Sequence, residues 1–353
     1  MRFVPLSDVQ EGMALGRTLY GANGEILLSK GTVLKDKFIR RIHDLQYNGI
    51  YIEDDVSEGM DINELVDPEV KQKAVKVMKT AFHRIEKGLN HTETSKKEIQ
   101  AIVDTILEDI MSNKDIIVNI IDLKMYDDYT FHHSTNVAIL ATVLGIACKL
   151  NKKDLYELCM AGILHDIGKV TVPDHILNKK EKLTDEEWQE MQKHAENGYR
   201  ILKEKFQLPT KAYIGVLQHH ERYDGTGYPH GKKGRDISLF GRILNIADVY
   251  DALTSDRPYR KGWPPAEALE FLMGNGGVHF DPHLVQIFYQ KISPYPVGTV
   301  VCLSNNKKGI VKKNCEGLGL RPLVRIIQED NQKVSPYDID LSQPKNNAIA
   351  IIM

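Results

Sequence analysis

The chain has 353 residues, with 46 Lys and Arg against 48 Asp and Glu, so its net field gives no reason to expect duplex nucleic acid or an anionic membrane surface as partner. Hydrophobic content of 42% and charged content of 27% disfavour disordered and membrane classes and suit two or three domains with a sizeable core. Cys148, Cys159, Cys302 and Cys315 form no CxxC pair and no cationic leader precedes an apolar run, so a reducing cytoplasm is the expected location.

In chain order, residues 1–55 read as a small α+β domain. "TLYGANGEILLSKGTVL" has apolar runs joined by a hairpin-like turn, and "KDKFIRRIHDLQYNGIYIEDD" reads as a short helix followed by a strand. From Ile52 to Glu69 the chain carries Glu53, Asp54, Asp55, Glu58, Asp61, Glu64, Asp67 and Glu69 with no Lys or Arg. That shift marks a boundary, read as a solvated acidic connector. Residues 56–119 are therefore expected to be an acidic linker with connecting helices.

Within "EIQAIVDTILEDIMSN" the residues Ile99, Ile102, Val103, Ile106, Leu107 and Ile110 recur at spacings of three and four, which predicts a helix with one apolar stripe. "VAILATVLGIAC" (137–148) is uncharged but shorter than the roughly 18 residues of a spanning helix, so a buried core helix and no membrane segment are expected. "LTDEEWQEMQKHAENGYRILKEKF" opens with Thr184 three residues before Glu187, a capping-box spacing, and the predicted helix carries His194 in its interior. From 293 to 353 short β-rich runs alternate with Asn, Gly and Lys clusters, predicting a small β-rich C-terminal domain. The fold class expected is multidomain: a central all-α helical domain over 120–292, flanked by the small α+β and β domains.

That helical middle contains His133, the pair His165 and Asp166 in "GILHDIGK", His194, the pair His219 and His220, and Asp248 in "NIADVYDAL". Adjacent histidines point roughly 100° apart on a helix, so they do not share one apolar face and suggest a polar task. Neutral imidazoles and carboxylates are the donor set of Fe, Mn or Zn. A carboxylate can bridge two cations, and two metals about 3.5–4 Å apart stabilise both the entering and leaving oxygens of a phosphodiester. Each piece alone is common on helices that bind nothing. His133 follows His132, and either can be the inward residue, although "HSTNVAIL" favours His133.

The combination is specific. "HDIGK" at 165–169, "HAENG" at 194–198, "HHERYDGTGYP" at 219–229 and "IADVYDALTSDRPYR" at 246–260 resemble, in order and spacing, the HD-GYP subgroup of HD-domain phosphohydrolases. The resemblance covers roughly residues 120–292. It implies an all-helical domain with a buried di- or trinuclear site, commonly iron or manganese, that degrades cyclic di-GMP to linear pGpG, and to GMP after a second cut. It further implies His133, His165, Asp166, His194, His219, His220 and Asp248 as metal ligands, Asp166 as the bridge, and Lys169 as a catalytic cation. Substrate contacts implied are Lys169, Asp251, Arg257 and Arg260, with Gly227, Tyr228 and Pro229 in the loop around the pocket. In "DGTGYP" the glycines permit positive φ and close backbone approach, Pro229 stiffens the turn and Tyr228 can stack.

One departure bears on the metal count. Members with three metals resemble one another in having Glu four positions before the first ligand histidine, where this chain has Tyr129. Tyrosine is a poor substitute for a bridging carboxylate, so two metals are expected. Alternative readings keep the site but change the substrate to cyclic GMP-AMP, or make the chain a cyclic di-GMP sensor without turnover. Through the terminal domains a homodimer or a signalling partner is the partner class expected.

Overall fold

A computed structural model of the chain describes residues 1–21, 25–45, 47, 49–60, 62, 64–88, 92–113, 129–255, 261–315 and 317–352. Strands β1 (Arg2–Pro5), β2 (Ala14–Leu15), β3 (Leu19–Tyr20) and β4 (Ile26–Leu28) precede helix α1 (Asp36–Asp44) and strand β5 (Gly49–Glu53). A three-stranded sheet runs β1-β5-β2, and β3 pairs antiparallel with β4, as the two apolar runs predict. The turn residues 22–24 lie outside the described residues. Val4, Leu15, Leu19, Leu34, Ile42, Ile50 and Ile52 close this α+β region over its own core.

The acidic stretch is solvated in part, with Glu53, Asp55, Glu58 and Glu69 exposed, while three of its other carboxylates are tied down. Asp54 pairs with Arg2 at 2.9 Å and caps a short turn through the Ser57 amide; Glu64 pairs with Arg17 and reaches Lys71; Asp67 caps the next helix by accepting from the Glu69 amide at 2.7 Å. These carboxylates are held by local donors, a partnership that charge counting over one window does not reveal.

The helical region runs through α2 (Pro68–Glu86), α3 (Thr92–Ser112), α4 (Tyr129–Ala147), α5 (Lys152–Leu164), α6 (Asp174–Leu177), α7 (Asp185–Gln192), α8 (His194–Arg200), α9 (Thr210–Gln218), α10 (Leu239–Thr254), α11 (Pro265–Gly274) and α12 (Pro282–Lys291). Helix α4 is central. It packs against α2, α3, α5, α10 and α12, so a helix apolar on all sides is covered on all sides. Val137, Leu140, Ala141 and Leu144 are fully buried there, worth about 1.5–3 kcal/mol for each large side chain. Its buried hydroxyls do not forfeit that gain, because Thr135 and Thr142 donate to the carbonyls of Phe131 and Ala138 at 2.9 and 2.7 Å. The α2 and α3 stripes join the same core through Ala74, Met78, Ile99, Val103, Ile106 and Ile110. No helix of the described residues is long and apolar enough to cross a membrane.

After α12 come β6 (Val300–Leu303), β7 (Lys307–Lys313), β8 (Leu323–Glu329), β9 (Gln332–Asp340) and β10 (Ile351–Ile352), in the antiparallel order β10-β6-β7-β8-β9. This sheet touches the N-terminal region: the Phe3 amide donates to the Gly298 carbonyl at 2.9 Å, and Arg325 donates to the carbonyls of Val56 and Glu58.

Candidate metal centre

Five polar segments converge from the helices. His133 comes from α4; His165 and Asp166 follow the last turn of α5, with Lys169 in the short turn behind them. His194 opens α8, His219 and His220 end α9, and Asp248 lies on α10. The predicted helix over the His194 segment starts with its capping box, Thr184 accepting from the Glu187 amide at 3.3 Å and Glu187 from the Thr184 amide at 2.8 Å. It does not run through His194. It breaks at Lys193, and His194 becomes the first residue of α8, where its Nδ1 donates to the Met191 carbonyl at 2.7 Å.

Local backbone sets the tautomers. Nδ1 of His165 lies 2.8 Å from the Gly162 carbonyl and Nδ1 of His219 lies 2.5 Å from the Val216 carbonyl. A carbonyl only accepts, so Nδ1 carries the proton in all three histidines and Nε2 presents a bare lone pair to the interior. Among the described residues the Nε2 atoms of His165 and His219 have no hydrogen-bond partner, although these residues are 1% and 0% exposed. Leaving such atoms unsatisfied in a dry site costs about 1–3 kcal/mol each, which a cation would offset.

The donors form two sets that share Asp166: Asp166, His194, His219 and His220, and His133, His165 and Asp166. Asp166 Oδ2 is 3.4 Å from His165 Nε2, and Oδ1 is 3.6 Å from His194 Nε2, so one carboxylate reaches both sets. The Nε2 atoms of His194 and His220 face each other at 3.1 Å. Asp248 adds an oxygen 3.1 Å from His133 Nε2 and another 3.9 Å from His220 Nδ1. This inventory of oxygen and imidazole nitrogen fits divalent metal ions.

Charge states agree with that use. Burial pushes His194 down, His219 down to about 3 and His220 well down, so all three are neutral at pH 7. Burial works to raise the carboxyls of Asp166 and Asp248, but the Lys169 ammonium holds the first, and His133 the second, well below the usual carboxylate range. His133 differs: burial opposes its charge, yet Asp248 and Asp251 outweigh it and raise the imidazole to about 9. To act as a ligand His133 must release that proton, which favours binding as pH rises.

The site opens into a cavity of about 610 Å³, whose wall includes Lys169, Trp188, Gln192, Arg222, Gly227, Tyr228 and His279 beside His133, Asp166, His194, His220 and Asp248. Lys169 Nζ is 2.5 Å from Asp166 Oδ2. Pro229 does not line the cavity. Arg257, Arg260 and the side chain of Tyr129 lie outside the described residues.

Asp251 is the correction. Read as a substrate contact, it is 0% exposed and off the cavity wall; its Oδ2 accepts from His133 Nδ1 at 2.7 Å and from Ser255 Oγ at 3.1 Å, and Oδ1 accepts from Asn136 Nδ2 at 2.9 Å. Asp248 and Asp251, three residues apart on α10, thus grip opposite nitrogens of one imidazole. A carboxylate behind a ligand histidine fixes the ring and strengthens its lone pair. An Asp251→Asn protein is expected to bind metal roughly 10- to 100-fold more weakly with its fold intact, as measured by competition with a chromophoric chelator.

Sequence reading also missed the loop's internal supports. Glu221, 2% exposed, accepts from the His230 and Lys232 amides at 2.9 Å each, and Asn245 donates to the His219 carbonyl at 2.8 Å. Gly225 has φ +90°, and a Cβ on Gly227 would stand 2.2 Å from the Arg222 amide nitrogen. One glycine therefore provides the turn and the other the close approach. Trp188, Arg222 and His279 were unforeseen on the wall.

Comparison with known proteins gives one family match, the HD domain, over residues 117–284. The chain is 40% identical over 235 residues to a cyclic di-GMP phosphodiesterase of Pseudomonas aeruginosa, covering 66% of this chain and 56% of that one. It is 41% identical over 159 residues to a 3'3'-cGAMP-specific phosphodiesterase of Vibrio cholerae, covering 45% and 30% respectively. A cyclic di-GMP phosphodiesterase of Thermotoga maritima is 34% identical over 206 residues, 56% of each chain. The chain thus spans about half the length, or less, of the curated relatives it matches.

Proposed function

We propose, on the match of residues 117–284 to the HD domain family, that this chain is a metal-dependent phosphodiesterase that hydrolyses cyclic di-GMP to linear pGpG, and to GMP by a second cut. The observation that carries the reading is the pair of buried donor sets sharing Asp166, with two imidazole nitrogens left bare between them. Two divalent ions, iron or manganese, suit these donors. Tyr129, in place of a third-metal Glu, supports two rather than three. Bound there, the ions would supply Lewis-acid polarisation of a phosphodiester and a lowered pKa for water.

The chain's own groups do the rest. Asp166 is held ionised by Lys169, which is 30% exposed and so presents the same ammonium to a phosphoryl oxygen in the cavity. Burial keeps the Tyr228 phenol protonated, so on the cavity wall it is a hydrogen-bond donor. Arg257 and Arg260, placed on substrate by the resemblance, remain proposed phosphate clamps. All four cysteines are free, in keeping with a reducing cytoplasm, and the terminal regions are proposed to serve dimerisation or a signalling partner.

The test is metal analysis of anaerobically prepared protein beside chromatography of its products. About two Fe or Mn per chain, with pGpG formation lost on chelation and restored by metal, is the expected result. Full loading with tight binding but no cleavage under several metals would replace the enzyme with a sensor. Identity to a cGAMP-specific phosphodiesterase equal to that for the cyclic di-GMP enzyme keeps 3'3'-cGAMP as the second substrate reading, to be decided by competition between the two nucleotides.

A further inference from the structure

The cavity wall carries two groups that the metal site does not employ. Trp188, on α7, is 46% exposed, a large apolar surface left at the edge of a polar cavity. Its indole meets the Tyr228 ring edge-on at 6.1 Å, and Tyr228 in turn lies tilted on the His220 ring at 4.7 Å. Tyr228 therefore lies between the ligand histidine His220 and Trp188, which stays half exposed. Arg222 lies on the same wall, and its side chain, whose charge also acts on Asp224, makes no hydrogen bond or salt bridge among the described residues, whereas Lys169 is engaged by Asp166. His279, beside Arg222, is pushed down to about 4 by burial and by the Arg222 charge, so it neither competes for nor neutralises the guanidinium.

Resting on the phosphodiesterase reading above, we propose that Trp188 and Arg222 select the bases of the substrate: Trp188 stacks on a purine, and Arg222 reads a guanine through its O6 and N7. Stacking is tolerant of base identity because every base has a π face. The guanidinium fork is not tolerant. It matches the two acceptors of guanine, while adenine presents an amino donor where guanine has O6. The two residues thus divide affinity from selectivity, and Arg222 favours guanine over adenine in this cavity.

The experiment measures kcat/KM for cyclic di-GMP, 3'3'-cGAMP and cyclic di-AMP with metal-loaded wild type, Arg222→Met, Arg222→Lys and Trp188→Ala, with metal content determined for each. Both residues are exposed, so these variants fold. For Arg222→Met the preference for cyclic di-GMP over cyclic di-AMP should fall by about 5- to 150-fold at unchanged metal content. Arg222→Lys, which keeps the charge but not the fork, should lose most of the same preference. Trp188→Ala should weaken all three substrates by a similar factor, mainly through KM. An equal loss on all three substrates with Arg222→Met would make it a phosphate clamp and overturn base reading, and an unchanged KM in Trp188→Ala would overturn stacking. Wild type that holds metal and cleaves none of the three overturns the phosphodiesterase reading itself, a result separate from either.

Discussion

An Asp166→Asn protein is expected to fold, to hold fewer metal ions than wild type and to lose at least about a thousandfold in turnover of cyclic di-GMP. The carboxylate is the one donor common to both ligand sets, facing His165 Nε2 with one oxygen and His194 Nε2 with the other. An amide of the same shape keeps one acceptor oxygen but loses the charge, and its nitrogen is a donor that repels a cation. One set is left with neutral imidazoles alone and the other with His133 and His165. The metal-free fold should shift by no more than about 1–2 kcal/mol. Lys169, at 30% exposure, turns to water when its partner goes, and the desolvation cost of a buried carboxylate goes too. The decisive comparison is thermal unfolding with and without Mn²⁺. A metal at 100 times its dissociation constant stabilises wild type by about 2.7 kcal/mol, an increment the variant should largely lack. A variant with the full metal complement and turnover within tenfold of wild type would overturn Asp166 as the shared ligand.

What could be read before folding follows a physical line. Side chains whose chemistry demands company were legible: a doublet of histidines, an His-Asp pair and an apolar helix too short for a membrane each pointed inward, and the structure gathers them into two donor sets around Asp166. The backbone's part was not legible. Nothing in "GILHDIGK" says that α5 ends at Leu164, which leaves the Gly162 carbonyl to fix the His165 tautomer, or that the helix before His194 breaks at Lys193. Asp251 was misread for a related reason. Its spacing of three from Asp248 already put both on one face of α10, but which of the two faces substrate depends on α4, which lies across that face. The α3 stripe of Ile99, Ile102, Val103, Ile106 and Ile110 was seen correctly, and its consequence was under-drawn. So much apolar surface needs a core to enter, and α3 enters the one around α4.

Gly168→Ala should be the most damaging single methyl in the domain, costing about 3 kcal/mol or more in the metal-free protein. Gly168 follows the His165–Asp166 pair in the turn from Ile167 to Thr171, pressed against the start of α8. A Cβ there would stand 1.9 Å from the His194 carbonyl oxygen and 2.5 Å from the Gly198 amide nitrogen. Both obstacles are backbone, so no rotamer change relieves them and α8 must retreat as a unit. Because α8 begins at His194, the retreat also withdraws that imidazole from Asp166 and dismantles one donor set. Gly274→Ala is the control: no atom lies within 4 Å of its added Cβ, and its stability should move by no more than about 0.5 kcal/mol. Urea unfolding of the metal-free proteins at constant m value reads the packing cost alone, and metal titration of the folded fraction reads the displaced histidine. Equal urea midpoints for wild type and Gly168→Ala would show that the helix yields freely. The close approach of the Gly168 turn to α8 would then not be what holds His194 over Asp166.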